Sequence, residues 1–447
     1  MKRVAGDPVS TAAPGVATDV PFREALRVWG KIGLINFGGP AGQIALMHRV
    51  LVEEKRWIDD ARFLHALNYC MLLPGPEATQ LAAYIGWLMH GTRGGIVAGA
   101  LFVLPGFFVL LALSAAYFAF GELALVQGLL FGLKAAVLAI VAEALLRVSR
   151  RALKGAISLT IAVLAFVAIA FLNVPFPAIV ASAALAGFAL SWREPPVAPG
   201  ESPEIPADAA PWRAAVQATL IWSIVWLVPV ALLGAVLGLS HVFTQAALFF
   251  SKVAVVTFGG AYAVLAYVAQ QAVETYHWLR PDEMLTGLGL AETTPGPLIL
   301  VLVFVGFLAG ARGETGLDPL LAGTIGATIT LWVTFVPSFL FIFASAPFIE
   351  RLRGNRYASG ALAAVTAAVV GVIANLALWF GLHVLFGEVG ALRLGPLELP
   401  APRLATFDLA AAIIALAAGV ALLRFHVGVV TVLLSAAAAG AALRLFP

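Results

Sequence analysis

Charged residues are scarce in this 447-residue chain, because Asp, Glu, Lys and Arg together make up only 11% of it. Hydrophobic residues make up 61%, and the mean hydropathy is +0.97. Soluble domains usually carry about 25% charged and roughly 45–50% apolar residues. The composition therefore excludes an ordinary soluble domain and predicts a polytopic membrane protein.

Cysteine is nearly absent, since Cys70 is the single one. This excludes an intramolecular disulfide and a zinc cluster built from cysteines. The chain also lacks an HExxH metal motif and a GxSxG nucleophile elbow, and Gly287-Leu288-Gly289 is too short for a nucleotide fingerprint. A membrane-embedded enzyme acting on lipid is thus the less favoured alternative. We expect no enzymatic activity, no cofactor, no metal and no nucleic-acid partner.

Long apolar runs are abundant, and about 20 such residues suffice to cross roughly 30 Å of hydrocarbon. The continuous runs lie near 94–120, 122–146, 155–173, 174–192, 212–239, 317–347, 358–386, 407–423 and 426–446. Irregular but still apolar stretches lie at 24–50, 63–90, 242–273 and 284–311. We therefore predict an all-α polytopic membrane protein with about thirteen transmembrane segments.

Two tripeptides recur at one spacing. Phe37-Gly38-Gly39 returns as Phe258-Gly259-Gly260, and Pro74-Gly75-Pro76 returns as Pro295-Gly296-Pro297, both 221 residues later. Aligning residues 31–76 with 252–297 without a gap matches 13 of 46 positions. The chain is therefore predicted to be an internal duplication, as in many transporter folds.

The thirteen segments divide into six, one and six. Because equivalent segments are seven spans apart, an odd number, the halves are predicted to lie inverted relative to each other in the membrane. The predicted parts are a disordered cytoplasmic tail (1–21), a first repeat (22–192), a cytoplasmic linker (193–211), a connecting transmembrane helix (212–240) and a second repeat (241–447).

The distribution of Lys and Arg predicts the orientation. A cytoplasmic N-terminus places sixteen of these residues on the cytoplasmic side and eight on the outer side. In this count Arg280 is cytoplasmic and Arg312 is on the outer side. We therefore predict a cytoplasmic N-terminus and a C-terminus on the outer side.

Each repeated motif lies within an apolar segment. Gly-Gly and Pro-Gly-Pro lower helix propensity, and each proline also removes a backbone donor. Backbone groups freed in hydrocarbon are costly unless they find partners, so four helix breaks near the repeat interface predict a polar cavity. A half-helix that begins after a break points its N–H groups into that cavity, which suits an anion. The alternative is that the glycines serve close helix packing and the prolines only kink.

Cations and hydrogen-bond donors near the breaks complete the predicted anion site. Lys31 and Lys252 lie six residues before each Phe-Gly-Gly, and a lysine within the membrane normally faces a cavity. Snorkelling of Lys31 to the headgroups is the alternative. The predicted binding residues are Lys31, Asn36, Phe37, Gly38, Gly39, Pro74, Gly75, Pro76, Gln80, Lys252, Thr257, Phe258, Gly259, Gly260, Thr293, Thr294, Pro295, Gly296 and Pro297.

Two acids flank the second breaks. Glu77 directly follows the first Pro-Gly-Pro, and Glu292 precedes the second by three residues. Burial disfavours the charged form of a carboxyl, which can then take up and release protons near neutral pH. We predict that these two residues couple transport to the proton gradient. The alternative is that each carboxylate caps a half-helix N-terminus.

The repeated set carries a family resemblance. Asn36-Phe37-Gly38-Gly39-Pro40, Trp57-Ile58 and Leu73-Pro74-Gly75-Pro76 recur as Thr257-Phe258-Gly259-Gly260, Trp278-Leu279 and Thr294-Pro295-Gly296-Pro297. With it the chain resembles the chromate ion transporter family in its long, two-domain form, over about residues 22–446.

The resemblance implies a thirteen-span protein of the bacterial inner membrane that exports chromate, an oxyanion close to sulfate in shape and charge. It implies a driving force from the proton gradient or the membrane potential. The expected partners are chromate or a sulfate-like oxyanion, protons and membrane lipid, the C-terminus is expected in the periplasm, and a homodimer stays open. Sulfate or another anion as the physiological substrate, and a passive channel or scaffold, are the alternatives.

The second half departs from the first at two positions. Ala261 stands where Pro40 is expected, and Leu298 stands where Glu77 is expected. The two halves are therefore predicted to share the binding of the anion and to divide the coupling unequally.

Overall fold

The computed structural model describes residues 15–17, 20–192, 211–258, 261–346, 356–395 and 397–445. This part of the chain contains sixteen α-helices and one two-stranded sheet. Residues 1–14 of the predicted tail and residues 193–210 of the predicted linker lie outside it, as do Gly259 and Gly260 of the predicted site.

The first half consists of α1 (Phe22–Ile35), α2 (Gly39–His48), a π-helical turn (Arg49–Glu54), α3 (Asp60–Cys70), α4 (Glu77–Phe120), α5 (Ala124–Ala152), α6 (Ala156–Leu172) and α7 (Phe176–Ser191). Helix α8 (Pro211–Leu237) connects it to the second half. There follow α9 (Val242–Val256), α10 (Ala261–Gln270), a second π-helical turn (Gln271–Thr275), α11 (Pro281–Thr293), a 3-10 turn (Leu298–Leu300) and α12 (Val301–Arg312). The chain then forms α13 (Pro319–Ser345), α14 (Arg356–Leu385), β1 (Val389–Leu394), β2 (Leu397–Pro402), a 3-10 turn (Leu404–Thr406), α15 (Leu409–Leu423) and α16 (Val429–Leu445).

Five helices, α4, α5, α8, α13 and α14, are long and apolar enough to cross a membrane. Helices α6, α7, α9, α15 and α16 are apolar but shorter. The described residues therefore form a mostly helical multi-pass membrane protein.

The irregular segments of the first half fold back on themselves. Lys55 Nζ lies 2.8 Å from Glu24 Oε1, so the chain leaving α2 returns to the start of α1. The rings of Tyr69 and Tyr84 lie 4.9 Å apart, which packs α3 against the beginning of α4. Each segment is thus a helical hairpin rather than one span.

Helix α4 is itself two helices that meet at a sharp reversal. Gly91 has a φ of +61° and His90 is also non-helical. Beyond the reversal the two parts pack antiparallel, since a Cβ added to Gly95 would lie 2.8 Å from Ala83 O. The first part, 77–89, completes the second hairpin, and the second part, 92–120, is the first long span.

The second half repeats this arrangement at the opposite end of the molecule. The rings of Phe250 and Trp278 lie 6.0 Å apart, so the chain leaving α10 returns to α9. Arg312 Nη2, at the end of α12, lies 2.6 Å from Glu283 Oε1, at the start of α11. Tyr117, about 40 Å along α4 from the reversal, donates a hydrogen bond to Glu283. We call these two ends of the molecule the Glu24 end and the Glu283 end.

The hairpins correct part of the predicted span count. The sequence predicts 24–50, 63–90, 242–273 and 284–311 as transmembrane segments, but in the structure each returns to the end where it enters. The charge distribution predicts Arg280 and Arg312 on opposite sides, yet both contact the Glu283 carboxylate. The reason is that each break reverses the chain, whereas the prediction treated it as an interruption within a helix that continues.

Two further differences concern local structure. Strands β1 and β2 form an antiparallel hairpin, with Val389 opposite Pro402, which the all-α prediction missed. Residues 15–17 belong to the predicted disordered tail, but Ala17 N–H donates to Trp57 O at 2.8 Å and Val16 forms a β-bridge with Ile58. Both features lie at the ends of the helices, where apolar periodicity carries little information.

Small residues bring the long helices into close contact. An added Cβ at Gly132 of α5 would overlap the Ala436 carbonyl of α16, and one at Gly187 of α7 would overlap the Gly360 carbonyl of α14. Such contacts are how membrane helices pack without a hydrophobic driving force between them. They join α5 to α16 and α7 to α14.

Candidate functional site

The four hairpin tips meet in the centre of the molecule. Gly75 N–H donates to Thr257 O at 2.8 Å, and Gly296 N–H donates to Asn36 O at 2.8 Å. Gly75 and Gly296 are repeat equivalents, and so are Asn36 and Thr257. Each Pro-Gly-Pro tip therefore donates a hydrogen bond to the first break of the other half. Described residues beside all four predicted breaks therefore lie close together.

The backbone at both Pro-Gly-Pro tips requires glycine. Gly75 has a φ of +120° and Gly296 has a φ of +111°, a region that residues with a Cβ rarely adopt. Helix α4 approaches one tip at Gly106, where an added Cβ would overlap Pro295 O. Helix α13 approaches the other at Ser338, whose Oγ would lie 3.2 Å from a Cβ at Gly75.

Three buried amide side chains tie the tips to their surroundings. Gln43 Nε2 donates to Gly296 O at 2.5 Å, and Gln80 Nε2 donates to Pro74 O at 2.6 Å. Asn36 Nδ2 donates to Phe102 O at 3.3 Å. The first two bonds use carbonyl groups of the Pro-Gly-Pro tips, which the helix breaks leave without helical partners, and the third ties Asn36 to α4.

Several buried polar atoms around the tips have no hydrogen-bond partner among the residues that the structure describes. They are Asn36 Oδ1, Gln43 Oε1, Gln80 Oε1, Thr79 Oγ1, Thr334 Oγ1 and Ser338 Oγ. Buried polar groups are nearly always satisfied by protein, water or ligand. The hydroxyl groups among them can donate a hydrogen bond to an oxyanion, and the amide oxygens can accept one from water.

A small cavity lies between the tips. Its volume is about 20 Å³, enough for about one water molecule. The lining residues are Pro40, Gln43, Pro76, Glu77, Ala78, Ala261, Pro297, Leu298 and Ile299. A tetrahedral oxyanion is larger than water, so its entry requires the tips to separate.

The two predicted coupling carboxyls occupy different environments. Glu77 is half-buried at the start of α4 and lines the cavity, where the helix N-terminus favours a negative charge. Glu292 is buried at the end of α11, so it cannot cap the N-terminus of that helix, and its Oε1 accepts a hydrogen bond of 2.5 Å from Tyr262. The Glu143–Arg147 ion pair of α5 lies within electrostatic range of Glu292.

The two predicted lysines lie on exposed helix faces rather than at the tips. The buried face of α1 carries Val28, Ile32 and Asn36, whereas Lys31 is exposed. Arg23 and Arg27 precede Lys31 at four-residue spacing and are also exposed, which makes a stripe of three cations along α1. We call Arg23, Arg27 and Lys31 the basic stripe.

Lys252 has no such companions on α9. Its side chain is exposed, and Nζ lies 5.7 Å from the centre of the Tyr267 ring. The positions four and eight residues before it are Leu248 and Thr244. Of the three positions in the second half that are equivalent to the basic stripe, one is a cation, Lys252.

The hydroxyl groups of the three predicted threonine donors already donate to backbone carbonyl groups. Thr257 Oγ1 donates to Val253 O at 2.6 Å, Thr293 Oγ1 to Leu290 O at 2.8 Å, and Thr294 Oγ1 to Ala291 O at 2.9 Å. Phe37 is exposed and Phe258 half-buried. Gly38 and Gly39 have φ angles of +94° and +67°, which begin α2 after the first break.

Sequence reasoning missed four residues of the site, namely Gln43, Tyr262, Gly106 and Ser338. Gly106 and Ser338 could have been found from the sequence, because a small residue between Pro and Phe occurs in both halves, as Pro105-Gly106-Phe107 in α4 and Pro337-Ser338-Phe339 in α13. Gln43 and Tyr262 could not be found from the repeat, because Val264 and Ala41 occupy the equivalent positions in the other half.

Comparison with known proteins places the chain among transporters. The family described as Chromate transporter matches residues 23–188 and 244–441. A chromate transport protein of Cupriavidus metallidurans is 30% identical over 372 residues, covering 82% of this chain and 84% of the relative. One from Pseudomonas aeruginosa is 32% identical over 346 residues, 77% of each. An uncharacterized transporter of Bacillus subtilis is 32% identical over 135 residues, 30% of this chain and 68% of the relative. No solved structure matches the chain.

Proposed function

Because the chain belongs to the chromate transporter family, we propose that it is a secondary transporter of a tetrahedral divalent oxyanion, with chromate as its substrate. The observation that carries this proposal is the pair of crossed hydrogen bonds at the four helix breaks. They join backbone donors of both halves at one central point, where N–H groups suit an anion.

The proposed topology has nine crossings and four re-entrant hairpins. Two hairpins enter from the Glu24 end and two from the Glu283 end, and the crossings are 92–120, α5, α6, α7, α8, α13, α14, α15 and α16. Five crossings separate an element of the first half from its equivalent in the second half. Because five is odd, the two halves are again inverted relative to each other. Nine crossings also place the termini on opposite sides. We assign the N-terminus to the cytoplasm and the C-terminus to the periplasm of a bacterial inner membrane.

The proposed binding step follows from the closed tips. When the tips separate, Gly75 and Gly296 lose their carbonyl acceptors, and the oxyanion accepts from these two N–H groups instead. The hydroxyls of Thr79, Thr334 and Ser338 add donors. Lys31 and Lys252 contribute through their charge, which attracts the anion toward the breaks. Glu77, in the cavity, and Glu292, behind it, take up and release the coupling protons, and the direction of transport is export.

Flux measurements in proteoliposomes test this function. We expect chromate counterflow that saturates and that responds to an imposed pH gradient. Sulfate is measured in parallel, because faster sulfate flux makes sulfate the substrate. Flux without saturation or counterflow identifies a channel. Absence of flux of either anion under every gradient contradicts the proposal.

Removing one charge of the basic stripe is expected to weaken the attraction of the anion to the helix breaks. For Lys31→Gln we expect an apparent KM for chromate roughly threefold to tenfold above wild type at low ionic strength. The difference shrinks in high salt, because the Debye length is then only a few ångströms. Lys154→Gln, at an exposed position after α5, is the matched control. An unchanged KM for Lys31→Gln at low salt removes Lys31 from the proposed path.

A further inference from the structure

A second cavity lies away from the hairpin tips, toward the Glu283 end. Its volume is about 290 Å³, and it is bounded by α6, α10, the second π-helical turn, α14 and the β hairpin. The side chains that matter for its chemistry are Gln270, Glu274, Asn375, Trp379 and His383. We call it the β-roofed cavity.

The charged and titratable groups of the β-roofed cavity favour protons over oxyanions. Glu274 is exposed at its mouth, and none of its lining residues is Lys or Arg. His383 Nδ1 lies 2.9 Å from Trp379 O. A carbonyl only accepts, so Nδ1 carries the hydrogen and Nε2 of the neutral ring is an acceptor. A carboxylate and an acceptor nitrogen repel an oxyanion and attract hydronium.

One face of α10 leads from this cavity toward the buried coupling carboxyl. Ala266, Gln270 and Glu274 line the cavity at four-residue spacing. Tyr262 lies on the same face one turn earlier, about 6 Å along the axis. Its hydroxyl donates to Glu292 Oε1 at 2.5 Å, so this face ends at Glu292.

The surroundings of Glu292 are charged on one further side. Helix α5 places Glu143 and Arg147 within electrostatic range, and these two form an ion pair with each other. Because the charges of Glu143 and Arg147 offset each other, α5 brings little net charge to Glu292.

We propose that the β-roofed cavity is an aqueous route by which protons reach Glu292 through Tyr262, separate from the path of the oxyanion. This inference rests on the proton coupling in the proposed function. The route belongs to one half only, because Ala41 and Met71 occupy the positions equivalent to Tyr262 and Glu292. The first half also joins α5 to α6 by residues 153–155, without a hairpin to form a roof.

Cysteine labelling tests the chemistry of the cavity without any transport. Ala269→Cys and Leu382→Cys each place a thiol in the lining, and either variant alone suffices. Wild type is the blank, because its single Cys70 is fully buried. In proteoliposomes, we expect a cationic methanethiosulfonate reagent to react roughly tenfold faster than an anionic one. Ala401→Cys, exposed on β2, is expected to react with both at similar rates.

A functional measurement follows on the same labelled proteins. Modification of the cavity thiol is expected to abolish chromate-driven proton uptake and to leave chromate binding, measured by isothermal titration, within twofold of the unlabelled protein. Equal labelling by both reagents, faster labelling by the anionic one, or proton uptake that survives modification overturns the proposed route. Failure of the proposed function is distinguishable, because unlabelled wild type then moves no chromate whatever the labelling ratio is.

Discussion

Alanine at Gly75 or Gly296 is expected to abolish oxyanion transport. The φ angles of +120° and +111° at these positions cost a residue with a Cβ about 1–3 kcal/mol. A Cβ at Gly75 would also lie 2.8 Å from Gln80 Nε2, and one at Gly296 would lie 2.7 Å from Leu300 Cδ1. The tip must shift to relieve these contacts, and its N–H then loses its alignment with the opposite half.

The measurement is chromate counterflow in proteoliposomes at matched protein content. We expect each variant to fall below about one tenth of the wild-type rate, because about 1–3 kcal/mol of strain corresponds to roughly 5-fold to 150-fold and the close contacts of the added Cβ add to it. Gly30→Ala is the matched control, since Gly30 lies in α1 and an added Cβ meets no atom within 4 Å. Gly75→Ala with a wild-type rate would show that the tip geometry is not part of transport.

Removal of the Arg312 guanidinium is expected to cause the largest loss of stability. Glu283 is fully buried, and Arg312 Nη1 and Nη2 donate to its two oxygens at 2.7 and 2.6 Å. Tyr117 and the Arg280 backbone also donate to this carboxylate. Breaking a fully buried pair by removing one partner costs about 3–5 kcal/mol. The loss is expected to be smaller here, because the Arg280 guanidinium, 3.1 Å from Glu283 Oε1, still compensates part of the charge and the Arg312 side chain is 37% exposed.

Thermal unfolding of purified protein in detergent measures this effect. Arg312→Ala is expected to lower Tm clearly, and Glu283→Gln added to Arg312→Ala is expected to restore much of the loss because no buried charge remains. The control is Arg403→Ala, whose ion pair with Glu388 is exposed and contributes little. If Arg312→Ala unfolds at the wild-type temperature, the Glu283 pair does not hold α12 to α11.

The sequence predicted the breaks but not the direction of the chain after them. Glycine and proline remove helix propensity whether the chain then continues or reverses, so the pattern at Gly38 or Gly75 fits a kinked span and a hairpin equally. The distinction depends on pairs far apart in sequence, such as Glu24 with Lys55. Charge counting along loops does not detect such pairs, and this is why Arg280 and Arg312 were separated.

Helical phase limits what spacing along one helix can predict. Lys31 is close to two turns from Phe37, which suggested a charge near the break, but distance along the axis says nothing about direction. The buried positions Val28, Ile32 and Asn36 follow each other at four-residue spacing. Lys31 is about 100° away from Ile32 around the helix. The positions of the apolar residues around the helix axis therefore predict better which polar residue faces the interior.

The crossed bonds between Gly75 and Thr257 and between Gly296 and Asn36 have a consequence for alternating access. Opening toward either end breaks bonds of the same chemical kind, each worth about 0.5–1.5 kcal/mol net. The backbone at the tips therefore gives neither open state an intrinsic preference. The equilibrium between them depends on residues that the duplication did not preserve, such as Glu77 opposite Leu298 and Pro40 opposite Ala261. Divergence between the halves, rather than the shared motif, then sets the resting side of the transporter.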